Sequence, residues 1–219
     1  GSGKAYTATG TALTLSAATA STDTMYCVFL GRALQTVTPA TNSIDNTMIS
    51  STAAIATTKL GAGAILQIVS TTKTDTQTIS TSSATQISGL TAALTCASTS
   101  NKVLITGALS VGGTTNDAGY AIYAGASAIT AATGDAASNR RRTTFGGGAF
   151  LGSGNETYRV YTIPFSFLYS PSSTSAITYS IYKTDSGSTA TYINRSANDG
   201  DSADRQRAIS TITVMEVAV

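Results

Sequence analysis

Apolar and polar positions alternate along most of the chain with a period of two, broken by clusters of Gly, Ser, Asn and Asp. That period places successive side chains on opposite faces of a strand, one buried and one wet. Val103, Ile105, Leu109 and Val111 fall on one face of such a segment. Tyr161, Ile163, Phe165 and Phe167 do the same, as do Ile177, Tyr179 and Ile181. The pattern predicts strands over 65–72, 76–80, 84–95, 102–112, 119–124, 157–168, 176–183, 189–194 and 208–219. Many strands joined by Gly-rich turns, with no long helical period, define an all-β domain. The expected architecture for 65–219 is an antiparallel β-sandwich head, jelly-roll-like.

Two further regions precede it. Residues 1–41 read as a small upstream β module, cut short at its start. In it Thr11 to Leu15 alternates, and Met25 to Leu30 is an apolar run suited to a strand covered on both faces. A hairpin through Ala20-Ser21-Thr22-Asp23 would join the two. Residues 42–64 form a neck. No Gly or Pro occurs between Pro39 and Gly61, and the Ala-rich stretch favours helix. Ser51 is placed to cap a short helix through Ile55 to Leu60, closed by Gly61. Ile44, Met48 and Ile55 lie four and seven residues apart, as in a coiled-coil seam, and Leu60 extends the apolar set. The same residues also suit a linker helix packed on its own domain, since two repeats fall short of three or four heptads.

Composition adjusts this picture. Ala, Gly, Ser and Thr make up more than half of the 219 residues, 42% of residues are hydrophobic and 11% are charged. Thr, Val, Ile and Tyr favour strands, and the hydrophobic content separates the chain from disordered sequences. A core built of small side chains is thin for its length, and sharing it with identical neighbours is one way to make it sufficient. A formal charge of +2 gives no excess of Lys and Arg for phosphate, so no nucleic-acid partner is expected. No apolar run approaches the roughly 18 residues of a membrane span, so no membrane insertion is expected. The start, Gly1-Ser2-Gly3-Lys4, has neither Met nor a signal-peptide core, which suits a processed or trimmed terminus. Cys27 and Cys96 stand far apart in apolar stretches and read as small hydrophobes.

Candidate chemistry is sparse. The chain contains no His, which removes Ser-His-Asp and Cys-His arrangements and most zinc sites. Glycoside hydrolysis needs two carboxylates flanking a bond. The glutamates are Glu156 and Glu216, the aspartates sit mostly in turn contexts, and there is no Trp to stack a sugar. The expectation is a protein that is not an enzyme and needs no cofactor. Asp199, Asp201 and Asp204 supply oxygen ligands for a hard cation but lack the closing Glu of a calcium loop, so a solvated turn is the simpler reading. Arg140-Arg141-Arg142, followed by Gly146-Gly147-Gly148, is the sharpest local feature. It suits an anionic surface glycan, an interface with acidic groups of a neighbouring subunit such as the Asp199 to Asp204 loop, or a solvated loop. Asn155-Glu156-Thr157 and Asn194-Arg195-Ser196 match the N-glycosylation pattern. Tyr120, Tyr123, Tyr158, Tyr169 and Tyr182 suit an adhesive surface, although most tyrosines of this kind are ordinary strand residues.

Several stretches carry a resemblance. They are Gly61 to Thr76 (GAGAILQIVSTTKTDT), Gly134-Asp135-Ala136-Ala137, Asn194-Arg195-Ser196 and Ser210 to Glu216 (STITVME). In this order they resemble the C-terminal region of tail-fibre and other virion structural proteins of marine and aquatic bacteriophages. The segment from Asp45 to Leu60 resembles the connector that leads into that domain, and residues 6–41 resemble the β modules upstream. The likeness implies a virion location and a structural role, with no catalytic residues. The expected function is a tail-fibre or spike tip that adsorbs to the host surface as a homotrimer. Its expected partners are itself, other virion proteins and a bacterial surface glycan or protein. The competing expectation is a capsid decoration protein or head fibre on the capsid exterior.

Overall fold

The computed structural model describes residues 6–22, 24, 26, 39, 43–44, 47–50, 52–53, 55, 59–112, 118–147, 156–184 and 190–219. The chain divides into two compact units, Gly1–Ala53 and Ala54–Val219.

In the first unit β1 (Tyr6–Thr9) and β2 (Ala12–Leu15) pair antiparallel, with Tyr6 opposite Leu15 and Thr9 opposite Ala12. The turn between them needs a left-handed residue, and Gly10 adopts φ +61 there without a Cβ penalty. The alternating segment 11–15 is therefore a strand, with its hairpin partner upstream. The proposed partner at 25–30 lies outside the described residues apart from Tyr26.

The expected neck helix falls largely on residues outside the described set, which here omits 42, 45–46, 51, 54 and 56–58. Among the described residues of 42–64 there is no α-helix. Ser50 makes a local turn: its Oγ accepts the Thr52 N–H at 3.2 Å, and the Ala53 N–H donates to the Ser50 carbonyl at 2.9 Å.

The second unit is antiparallel β throughout. Its strands are β3 (Ile65–Lys73), β4 (Gln77–Ile79), β5 (Thr85–Leu94), β6 (Lys102–Gly112), β7 (Ala118–Ala124), β8 (Ser127–Ala128), β9 (Phe145–Gly147), β10 (Val160–Tyr169), β11 (Ile177–Lys183), β12 (Thr191–Ile193) and β13 (Ser210–Val217). One sheet runs β3-β13-β6, with β10 along the other side of β6 and β12-β4 continuing from its far end. The other runs β5-β11-β7, with β8 and β9 pairing the two ends of β7.

One core cluster takes side chains from both sheets. Ile105, Leu109, Ile193, Ile212 and Val214 come from the first, and Ile87, Leu90, Ile122, Tyr179 and Ile181 from the second; all are fully buried. Stacked rings link the sheets, with Tyr120 to Phe145 at 5.3 Å and Phe145 to Phe165 at 4.9 Å between centroids. The alternation in β6 skips position 107, and the reason is steric. Phe165 lies opposite Gly107, and a Cβ there would stand 2.7 Å from the Phe165 Cζ and 2.1 Å from the Thr211 carbonyl oxygen.

Strand β13, between β3 and β6, is anchored at both ends by buried polar groups. At its start the Ser210 hydroxyl donates to Asn194 Oδ1 at 2.6 Å, while Asn194 Nδ2 donates to the carbonyls of Lys73 and Asp75 at 2.8 and 3.0 Å. Asn194 holds φ +60, a conformation Asn tolerates better than most residues. At its end the Glu216 carboxylate accepts from the Ala97 N–H and Asn101 Nδ2, each at 2.6 Å, and from Gln67 Nε2. The chain enters at this second end: the Gly63 N–H donates to the Ala218 carbonyl, and the Ala218 N–H to that of Ala64.

Candidate functional site

The end of the two-sheet unit opposite its entry carries the charged loops. There β3 and β6 finish and β10 and β13 begin. The connections β6–β7, β9–β10 and β11–β12 also span strand ends at this end, with 113–117, 148–155 and 185–189 outside the described residues. The described part is built from the 194–209 loop and the 3₁₀ turn Glu156–Tyr158, joined by the Asn198 N–H to the Thr157 carbonyl at 2.8 Å.

The Asp-rich loop is laced with arginines from its own segment. Asp199 pairs with Arg207 at 2.8 Å and with Arg195 at 3.4 Å, and Asp204 pairs with Arg205. The Ser202 hydroxyl, with Arg205 beside it, holds the Asp204 carboxyl below its usual value. Two of these arginines also lie over tyrosine rings, Arg205 at 3.7 Å from the Tyr158 centroid and Arg195 at 4.5 Å from that of Tyr192. Such contacts order a guanidinium while leaving donors available. An open cleft of about 590 Å³ is lined by Tyr158, Arg159, Val160, Tyr161, Asp204 and Gln206.

Among the described residues, Asp199, Asp201 and Asp204 included, no three metal-capable side chains cluster. Two of the three carboxylates are already engaged by arginine, so the loop is not the densely negative surface its sequence suggests.

The arginine tract lies in the 129–144 segment between β8 and β9, on the side of β7 away from β11, and its cleft is bounded by Ala118 and Gly147 at this same end of the unit. All three residues are exposed. Arg142 is tied down: its Nε donates to the Gly134 carbonyl at 2.7 Å, and its guanidinium also reaches the Thr130 carbonyl at 3.4 Å. Arg140 and Arg141 line an open cleft of about 530 Å³ with Asn139, Thr143, Gly119 and Gly146. Within the chain the tract therefore contacts backbone carbonyls and an open cleft rather than the acidic loop.

Ile44, Met48, Ile55 and Leu60 are 43% to 63% exposed. The tyrosines divide. Tyr120 is in the core, while Tyr123 and Tyr182 stack at 3.8 Å on the outer face of the second sheet. Asn194 is fully buried and its amide is used by three hydrogen bonds, so the Asn194-Arg195-Ser196 match is not open to glycosylation. Cys96 is a buried free thiol, raised above its usual value by burial and by the charge of Glu216; Cys27 lies outside the described residues. Sequence reasoning overlooked Arg195, Arg205 and Arg207 as a set, although the four-residue spacing of Arg195 and Asp199 is a signal for such a pair.

No protein-family model matches this chain, and no curated protein matches it.

Proposed function

We propose that the chain belongs to the structural, non-enzymatic class of virion β proteins, and that its two-sheet unit is a jelly-roll sandwich head. The strand order supports the sandwich reading. Set aside β4, β8 and β12, keeping the equally short β9, and the remaining eight strands lie in sequence ranks 1-8-3-6 in one sheet and 2-7-4-5 in the other. A long antiparallel hairpin rolled upon itself generates that order, with two Greek keys.

Within this class the reading is a tail-fibre or spike tip that adsorbs to a bacterial surface as a homotrimer. The observation that carries it is the polarity of the unit. The chain enters at one end through Gly61–Ala64, and the arginine, tyrosine and aspartate side chains of 156–161 and 192–207 gather at the other. Guanidinium forks set on aromatic rings suit anionic or hydroxyl-rich envelope polymers. Weak contacts of this kind are multiplied when several heads engage at once.

Immunogold labelling of purified particles with antibodies to this chain tests the reading. Gold at fibre or spike tips is expected, together with slower phage adsorption when excess purified chain is added. Gold over the shell supports a decoration protein or head fibre instead, and particles free of label overturn the virion assignment.

A further inference from the structure

On the outer face of the sheet β3-β13-β6-β10 the only charged side chain among these strands' described outward positions is Lys102, at the start of β6. Cross-strand register aligns its outward side chains in rows. One row runs Ile68, Met215, Leu104, Leu168, and the next runs Ser70, Thr213, Thr106, Ser166. Their neighbours along each strand, including Val69, Val214, Ile105 and Phe167, point into the core. The ends of the apolar row are exposed, Ile68 by 58% and Leu168 by 47%, and Met215 and Leu104 between them are half-buried. Lys102, at the entry-side rim opposite Val217, is the first charge met.

We propose that this face is where copies of the chain meet, a reading that rests on the homotrimer proposed above. Three features select a copy of the same chain as the occupant. The first is charge: the sequence holds 13 Lys and Arg and 11 Asp and Glu, yet the two rows carry none of them. Charge is depleted at the centre of protein interfaces, and a neutral face offers nothing to a strongly charged partner. The second is the hydroxyl row. A hydroxyl both donates and accepts, so a Ser/Thr row can bond to the groups that a copy presents around a three-fold axis, where contacts are head-to-tail; Ser70 and Thr213 already exchange such a bond at 2.8 Å. The third is size. Four strands about 4.8 Å apart and some eight residues at about 3.3 Å make a plane roughly 19 by 26 Å. Its rough surface is on the scale of the about 800 Å² that each partner buries in a stable interface.

The position of the apolar row fits the same conclusion. It lies toward the end where the chain enters, beside the exposed Ile65 at the start of β3 and within a few residues of exposed Leu60. An oligomer closed there would bury the strand face and leave the arginine and tyrosine loops of the opposite end outward.

Native mass spectrometry of the full chain and of an Ile68→Lys/Leu168→Lys variant tests this. Both positions are half-exposed, so a single chain tolerates lysine there. A wild-type trimer that becomes a monomer with unchanged circular dichroism is expected. A trimer that survives the double substitution overturns this face as the interface but leaves the trimer standing. A wild-type monomer at micromolar concentration overturns the trimer and this face together. Should the variant fail to fold, Thr213→Cys gives a second reading by maleimide labelling of the native protein, mapped by peptide mass. Labelling several-fold slower than at Ala126→Cys, in the turn after β7, is expected; equal rates overturn the proposal.

Discussion

The side-chain amide of Asn101 donates to the Glu216 carboxylate at 2.6 Å, joining the start of β6 to the end of β13. Glu216 is fully buried and accepts also from Ala97 and Gln67. Burial pushes its carboxyl up, but the hydrogen bonds from Gln67, Asn101 and the Ala97 and Ser98 N–H groups outweigh that and hold it below the usual glutamate value. A depressed value in the folded state means that the stabilisation is complete above the unfolded value, about 4.3, and is lost as pH falls through the folded one. Glu216→Gln should flatten the acid limb of a stability–pH curve. At neutral pH it should cost about 1–3 kcal/mol, because an amide cannot satisfy the same set of donors. Urea unfolding across the acid range measures both.

Asn194 supports the other end of β13, and two substitutions separate its contributions. Asn194→Ala removes three side-chain hydrogen bonds and leaves a residue at φ +60 that lacks Asn's tolerance for it. Asn194→Gly removes the same bonds but suits the backbone. The bonds should be worth about 1 kcal/mol each, and the backbone about 1 kcal/mol more. Chemical denaturation should therefore rank Ala below Gly and both well below the wild type.

How far the strands could be read from sequence follows from where alternation exists. Nine predicted segments match β3–β7 and β10–β13 with ends shifted by a few residues; most carry an apolar face of at least two side chains, while the short β4 and β12 each bury one, Ile79 and Ile193. Strands β8 and β9 were not legible. Ser127-Ala128 and Phe145-Gly146-Gly147 have no period, and only pairing with β7 makes them strands. The buried Glu216 was legible in principle: it shares its parity with Ile212 and Val214, so it sits where an apolar residue belongs. Lys183 shares parity with Tyr179 and Ile181 in the same way, and its Nζ donates to the Thr81 carbonyl at 3.0 Å. The neutralised state of the 199–204 loop was not legible, because it depends on Arg205 and Arg207 folding back.

Gly107 is the most demanding position in the core. An alanine Cβ would meet the Thr211 carbonyl oxygen at 2.1 Å and the Phe165 ring at 2.7 Å, and the first of these is backbone held by the β6–β13 ladder. Gly107→Ala should destabilise by more than about 4 kcal/mol or prevent folding, as severe overpacking does. Gly134→Ala, where no atom lies within 4 Å, is the matched control and should change the melting temperature little.

The arginine tract should divide by function rather than act as one patch. Arg142 spends its guanidinium on the Gly134 and Thr130 carbonyls and so fastens the segment that runs beside β7. Arg140 and Arg141 face the open cleft beside Gly119 and Gly146. Arg142→Ser should therefore lower stability by about 0.5–1.5 kcal/mol, the usual net worth of such bonds, and should do so equally at low and high salt. Arg140→Ser/Arg141→Ser should leave the melting temperature unchanged. The paired substitution should instead weaken binding to acidic polysaccharide or to host cells, with a salt dependence that the wild type shows and the variant lacks. Equal binding by both proteins would assign Arg140 and Arg141 to solvent. A loss of oligomer mass in the double variant would move them to the interface between chains.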